Sequence, residues 1–324
     1  MEPDRFVFLL RDGFPHISLS CAIEPLRLAN FVAGHEVYGW TLASVDAKPV
    51  TASNGLTTPV HQGLAQLDRR QRLLIVSGDE AFHDTSADLG AYLRTQRVRG
   101  ATIGGICSGA YHLARAGLLA GKSVALHWAY HDAFAERFPK VNLTTSLFIA
   151  DPAFPTCSGG TATLDLMLHM IFQDHGRDLA VAVAEQLVCS GMRDGNTVQR
   201  FSAQFRHGVR NKVLGRAIDL MNANIETPLS SQELAAELGL SCRQLERIFA
   251  RHLGVAPMRY CLELRLTRAR NLLMQCEASV AEVAVASGFT SMSHFSRVFR
   301  ARFGYSPQNE RAKLRANERA AKAS

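Results

Sequence analysis

A chain of 324 residues, 47% hydrophobic and 20% charged, is long enough for two or three cores and too balanced to be disordered. No apolar run reaches membrane-span length, and Phe6–Leu10 is too short for a signal peptide, so a cytoplasmic chain without membrane partners is expected. The net charge of +7 is uneven, with 18 Lys and Arg against 19 Asp and Glu in residues 1–208 and 18 against 10 in residues 209–324, so the basic excess sits where a polyanion-binding module would hold it.

In chain order, apolar and β-rich runs at Phe6–Leu10, Thr41–Val45, Arg72–Val76 and Ala101–Ile106 alternate with helical stretches at Ser18–Ala33, Asp84–Arg97 and Gly109–Leu119. That alternation predicts a parallel sheet covered on both faces. Gly78-Asp79 follows the third run and Gly105-Ile106-Cys107-Ser108-Gly109 the fourth, at the strand ends where such sheets bind ligands. The glycines of the second segment allow a sharp strand-to-helix turn that lifts Cys107. A thiol above a helix N-terminus has a lowered pKa, and a small buried residue in a tight turn satisfies the same pattern. The seven cysteines contain no CxxC pair, which fits reduced thiols, and no metal or cofactor is expected.

The last third contains one unit twice. Glu233–Ser241 aligns with Glu282–Thr290 at an offset of 49, and Leu245, Arg247, Phe249, Gly254 and Pro257 align with Phe295, Arg297, Phe299, Gly304 and Pro307 at 50. Each copy reads as helix, tight turn, helix. Ser230 with Glu233, Ser279 with Glu282 and Ser241 with Gln244 have capping-box spacing, and Gly239 and Gly288 supply the reversals. In the second helices Leu245, Ile248, Phe249 and His252, and Phe295, Val298, Phe299 and Phe303, form apolar stripes. The opposite faces carry Arg243, Gln244, Arg247 and Arg251, and then Ser291, Met292, Ser293, His294, Arg297 and Arg300. Polar and Arg side chains near a helix N-terminus are the groups that contact phosphates and base edges. Between the copies, Ala256–Gln275 reads as one helix ~30 Å long, enough to set two reading heads about one DNA turn apart.

Over residues 212–310 the sequence resembles the AraC/XylS family of transcription regulators, most strongly in Ala286–Phe299 and Gly304-Tyr305-Ser306-Pro307. The resemblance implies two recognition helices in successive major grooves of double-stranded DNA, led by Arg243 and Arg247 in one and by Met292, Ser293 and Arg297 in the other. Over residues 1–190 it resembles the class I glutamine amidotransferase-like domain, in the branch shared with intracellular cysteine-protease-like proteins. The matching segments are Ile106–Ala110, Leu113–Leu119, His127-Trp128 and Cys157–Ala162. Enzymes of that branch commonly place a His directly after the elbow Cys; Ser108 stands there instead, so no catalytic residue is expected.

Ala22–Asn30 is similar to the first helix of AraC-type regulators with such a sensor, a group whose members respond to amino acids and quaternary ammonium compounds. The implied effector is a small zwitterionic or cationic nitrogen metabolite, with Glu24, Gly78, Cys107, Ser108, His127 and Trp128 as candidate ligand-binding residues. The expected fold is α/β, a flavodoxin-like parallel-sheet sandwich followed by an all-α domain with two helix-turn-helix units. Its parts are a sensor at 1–190, a linker at 191–211, the DNA-binding domain at 212–310 and a basic tail at 311–324. A homodimer is expected, with RNA polymerase as partner if the regulator activates. The alternatives are a Cys107-dependent hydrolase or amidase fused to a DNA-binding domain, and a regulator in which Cys107 senses oxidation.

Overall fold

The computed structural model describes residues 4–82, 87–189, 191–197, 199, 212–275 and 278–312. The tail beyond 312, most of the expected linker and the first residues of the helix expected from Asp84 lie outside these. The chain divides into two compact units, residues 1–199 and 200–324.

The first unit is built on β1 (Asp4–Leu10), β2 (Tyr38–Ala43), β5 (Gln71–Ser77), β6 (Thr102–Cys107), β9 (Phe148–Ile149) and β10 (Thr156–Cys157), with short strands β3 (Val50–Thr51), β4 (Thr57–Thr58), β7 (Ser123–Ala125) and β8 (Asn142–Thr144) outside the main sheet. The sheet order is β2-β1-β5-β6-β10-β9, parallel except for the β10–β9 edge pair. Phe6 to Leu10 and Leu73 to Val76 are buried at every residue, not at alternate ones. Successive strand side chains point to opposite faces, so both faces must be covered. Helices α1 (His16–Ala33), α5 (Ala162–His175) and α6 (Arg177–Gln186) pack as one group, and α2 (Ala87–Val98) and α3 (Ala110–Arg115) as another, while α4 (His131–Arg137) follows β7. The helix expected to reach Leu119 stops at Arg115. A part-buried ion pair ties α5 to the sheet: Arg72 donates two bonds to Asp174 (2.6 and 2.7 Å), which also accepts from the Tyr38 hydroxyl (2.9 Å).

The second unit holds α7 (Lys212–Ala223), α8 (Ser231–Glu237), α9 (Cys242–Leu253), α10 (Pro257–Gln275), α11 (Val280–Ala286) and α12 (Met292–Phe303). The three capping boxes form as the spacing predicts, at Ser230–Glu233, Ser241–Gln244 and Ser279–Glu282. Leu234, Leu245 and Phe249 join Leu214, Ile218 and Met221 of α7 in one core. Phe295 and Phe299 are fully buried in the second copy.

The expected linker begins too early. Gly195, Thr197 and Gln199 are hydrogen-bonded to the 145–147 stretch: the Leu147 N–H donates to the Gly195 and Thr197 carbonyls (2.9 Å each), and the Gln199 N–H to Thr145 O (2.9 Å). The backbone N–H and guanidinium of Arg193 both bond Asp165. Small and polar residues suggest a free segment, but the backbone groups of Gly195, Thr197 and Gln199 are taken up by the neighbouring 145–147 stretch.

Candidate functional site

The second unit sorts its arginines into two classes. Arg268 pairs with Glu226 (2.7 Å), Arg270 with Glu310 (3.0 Å) and Arg302 with Glu263 (2.5 Å). Arg265 bonds the carbonyls of Ser287 (3.0 Å) and Gly288 (2.5 Å) and stacks 4.0 Å over the Phe289 ring. These side chains are consumed in holding helices together. Arg243, Arg247 and Arg251 on α9, and Arg297 and Arg300 on α12, are exposed and have no acidic partner among the described residues. Their positions follow from the buried stripe: Leu245 and Phe249 are 0% exposed, and the residues flanking them turn outward around the helix.

The remaining candidates divide differently. Ser293, His294 and Met292 are exposed on the first turn of α12. Gln244 and Ser291 are also exposed, but they serve their own helices. The Gln244 carboxamide oxygen accepts from the Ser241 N–H (2.9 Å), and the Ser291 hydroxyl accepts from the His294 N–H (3.3 Å). Both position a reading helix, and Gln244 keeps only its amide N–H groups for an external contact.

In the first unit the elbow has the expected turn and a different chemistry. Cys107 ends β6 with φ 60°, and an added Cβ on Gly105 would lie 2.3 Å from Ala110 N, on Gly109 2.1 Å from Ile75 O and on Gly159 2.6 Å from Cys107 Cβ. Only glycine permits these approaches. Ser108 is fully buried and donates to Gly78 O (2.5 Å), and Gly78 itself packs so closely that a Cβ would sit 2.1 Å from Gly13 O. Gly78, Cys107 and Ser108 therefore form a closed floor, with Cys107 only 5% exposed. Burial pushes the thiol up to about 12, with Cys157 and Asp79 adding to the rise and a bond from the Ser108 N–H opposing it. The lowered pKa expected of an elbow thiol is thus reversed: desolvation outweighs the helix N-terminus. This geometry opposes both thiolate hydrolysis and ready oxidation.

His127 is brought to the elbow through its backbone, which donates to Cys107 O (3.4 Å), while its Nδ1 accepts from the Ala129 N–H (3.3 Å). Trp128, 37% exposed, is the most open of the candidates there. Glu24 lies half-exposed on α1 and pairs with Arg27 at 2.7 Å. The α1 residue set beside the elbow is Ser18, whose hydroxyl accepts from the Gly160 N–H (2.7 Å). Asp79 and Tyr130 were not foreseen together; the Tyr130 hydroxyl donates to Asp79, and burial raises its pKa further, with Cys107 and Asp79 contributing. Contacts between residues 51 apart leave no local sequence signal. Among the described residues no group of three or more His, Cys, Asp or Glu could hold a metal, and no helix is long and apolar enough to cross a membrane.

The DJ-1/PfpI family model matches residues 4–173, and a helix-turn-helix domain model matches residues 234–313. The HTH-type transcriptional regulator GbdR of Pseudomonas aeruginosa is 40% identical over 310 residues, 96% of this chain and 84% of that protein. The HTH-type transcriptional regulator CdhR of the same species is 42% identical over 309 residues, 95% of this chain and 92% of that protein. A crystal structure of an AraC family transcriptional regulator from Pseudomonas putida superposes with a TM-score of 0.51 at 26% identity, covering 57% of this chain and all of that one. Two exposed, unpaired arginine faces on duplicated helices, behind a DJ-1/PfpI domain whose elbow thiol is shut away, agree with these matches: the chain belongs to the AraC-type helix-turn-helix transcription regulators with an N-terminal DJ-1/PfpI domain, and is a DNA-binding regulator rather than an enzyme.

Proposed function

We propose that the protein acts as a homodimer in which each subunit reads a two-part site, one half-site for each reading helix, responds to a small zwitterionic or cationic nitrogen metabolite, and activates transcription through contact with RNA polymerase. The observation that carries the operator reading is the sorting of arginines. The second unit spends Arg265, Arg268, Arg270 and Arg302 internally, whereas Arg243, Arg247, Arg251, Arg297 and Arg300 stand outward together on the two reading helices, and of the other described arginines Arg216 and Arg259 are exposed on α7 and α10. Arg243, Arg247 and Arg297, with Ser293, Met292 and His294, are assigned to bases; Arg251 and Arg300, farther along their helices, to phosphates. Selection from randomised duplexes is expected to enrich two half-sites about one helical turn apart. Arg247→Ala and Arg297→Ala should each relax one half-site and cost about 1–3 kcal/mol. Enrichment of no sequence, or equal loss at both half-sites from either substitution, would refute the assignment.

For the effector, Trp128 and His127 offer aromatic surface to a cation, above the floor made by Gly78, Cys107 and Ser108. Calorimetric titration with amino acids and betaines tests this reading, and absence of heat from all of them would count against it. Sedimentation of the free protein tests the homodimer, and transcription with purified polymerase tests activation.

A further inference from the structure

A cavity of about 590 Å³ opens in the first unit away from the elbow, between the β9 edge, the middle of α5 and residues 192–196. Its volume is that of a small-molecule site. The walls are aromatic and apolar: Phe148 forms the floor, His169 stands against it at 5.4 Å between ring centroids, and Phe172 and Met192 flank the opening at 37% and 40% exposed. Two large apolar side chains left in solvent around one opening are surface that a ligand would cover.

The charge of the lining favours one sign. Asp151, Asp165 and Asp194 face a single guanidinium, Arg193, and that group is committed to Asp165 through Nε (3.0 Å) and Nη2 (2.5 Å). Asp151 caps the Ala153 and Phe154 N–H groups and has Lys122 at 3.5 Å. Asp194 accepts from the Asn196 N–H (2.7 Å) and is exposed. A carboxylate beside aromatic faces is the arrangement that holds an organic cation.

The fourth wall matters most. Met192, Arg193, Asp194, Gly195 and Asn196 belong to the strap that the Leu147 and Gln199 backbone groups bind to the 145–147 stretch, and the Gln199 carboxamide continues it by donating to Leu126 O (2.8 Å) and Ser146 O (2.7 Å). This strap leads in sequence toward the DNA-binding unit. A ligand in the cavity touches Met192 and Asp194, and so binds the docked strap better than a detached one; that difference in affinity is what shifts a two-state equilibrium.

We propose that the cavity between β9, α5 and the 192–197 strap is a regulatory site for a small organic cation, whose occupancy holds the strap docked. This rests on the regulator reading above. The test uses the full-length protein with tetramethylammonium as probe and tert-butanol as its neutral counterpart of similar size, followed by calorimetry and by hydrogen exchange of peptides covering 145–148 and 192–199. Tetramethylammonium is expected to bind and to slow exchange in both peptides, and tert-butanol to do neither. Asp194→Asn, which preserves the bond from Asn196, and Phe172→Ala, at an exposed ring, should each weaken binding about tenfold, the scale of one lost cation contact. Binding that survives both substitutions, no binding, or unchanged exchange on binding would each overturn the proposal. Operator binding is measured on the same samples with Arg247→Ala as reference. Loss there, with no probe effect, would sink the cavity proposal alone, while no operator binding by the unmodified protein would sink the regulator reading.

Discussion

Cys107 combines three constraints at one position: a left-handed backbone at φ 60°, glycines at 105, 109 and 159 pressed against it, and a side chain 5% exposed. Its thiol is pushed from 9.0 up to about 12, first by burial and then by Cys157 and Asp79. In the folded protein iodoacetamide should therefore leave Cys107 unlabelled at pH 8 and label it once denaturant is added; fast labelling without denaturant would contradict the closed floor. Because the folded pKa is raised, the folded state keeps a proton that the unfolded chain releases above pH 9. The stabilisation tied to this group is complete below pH 9 and is lost between there and about 12, at up to about 1.4 kcal/mol per pH unit. Unfolding free energies of the unmodified protein and Cys107→Ala, compared across that window, should converge as pH rises. The turn at this residue was legible in the sequence, since glycine spacing encodes backbone geometry directly. The thiol's state was not, because desolvation depends on Gly159 and Tyr130, remote in the chain.

The helix-turn-helix copies are equivalent in sequence and differ in packing. Gly239 and Gly288 close corresponding turns at φ 68° and 76°, but an added Cβ meets nothing within 4 Å at Gly239, whereas at Gly288 it would lie 2.4 Å from Ile225 O and 3.0 Å from Pro228 Cγ. The second turn is thus pressed against the loop between α7 and α8 of the first copy. Arg265 of α10 clamps the same turn through the Ser287 and Gly288 carbonyls. Gly239→Ala should cost about 1 kcal/mol of backbone strain. Gly288→Ala adds a backbone collision, so about 2–4 kcal/mol is expected, with weaker operator binding because α12 loses its seat. Equal losses of thermal stability in the two variants would refute this asymmetry. Helix starts, caps and apolar stripes were readable because they rest on local spacing. The contact between copies was hidden because nothing at Gly288 differs in kind from Gly239. Loss of the Ser241 cap on α9, by Ser241→Ala, should cost about 1 kcal/mol and lower operator affinity by fraying the first turn, where Arg243 stands.

At the scale of the whole chain the division of charge anticipated the division of structure: the basic excess of residues 209–324 falls within the second unit. The first unit runs on to residue 199: residues 191–199 resemble a linker in composition, yet Gly195, Thr197 and Gln199 are bound to 145–147 through backbone hydrogen bonds, which composition does not record. Charge excess also overstates the DNA-binding surface, since several arginines are neutralised inside the unit. That separation makes a quantitative prediction about salt. Binding that releases counterions falls linearly in log affinity against log salt, with a slope of about −0.9 for each phosphate neutralised. Arg251→Ala and Arg300→Ala, each removing an exposed and unpaired charge assigned to phosphate, should flatten that slope by about one per substitution and weaken binding to operator and random duplex alike. Arg302→Ala removes the same formal charge from a side chain already matched by Glu263 at 2.5 Å, and should leave the slope unchanged even where it costs stability. If Arg302→Ala flattens the slope as much as Arg251→Ala does, affinity follows net charge rather than the geometry of the reading helices, and the assignment of phosphate contacts to α9 and α12 is wrong.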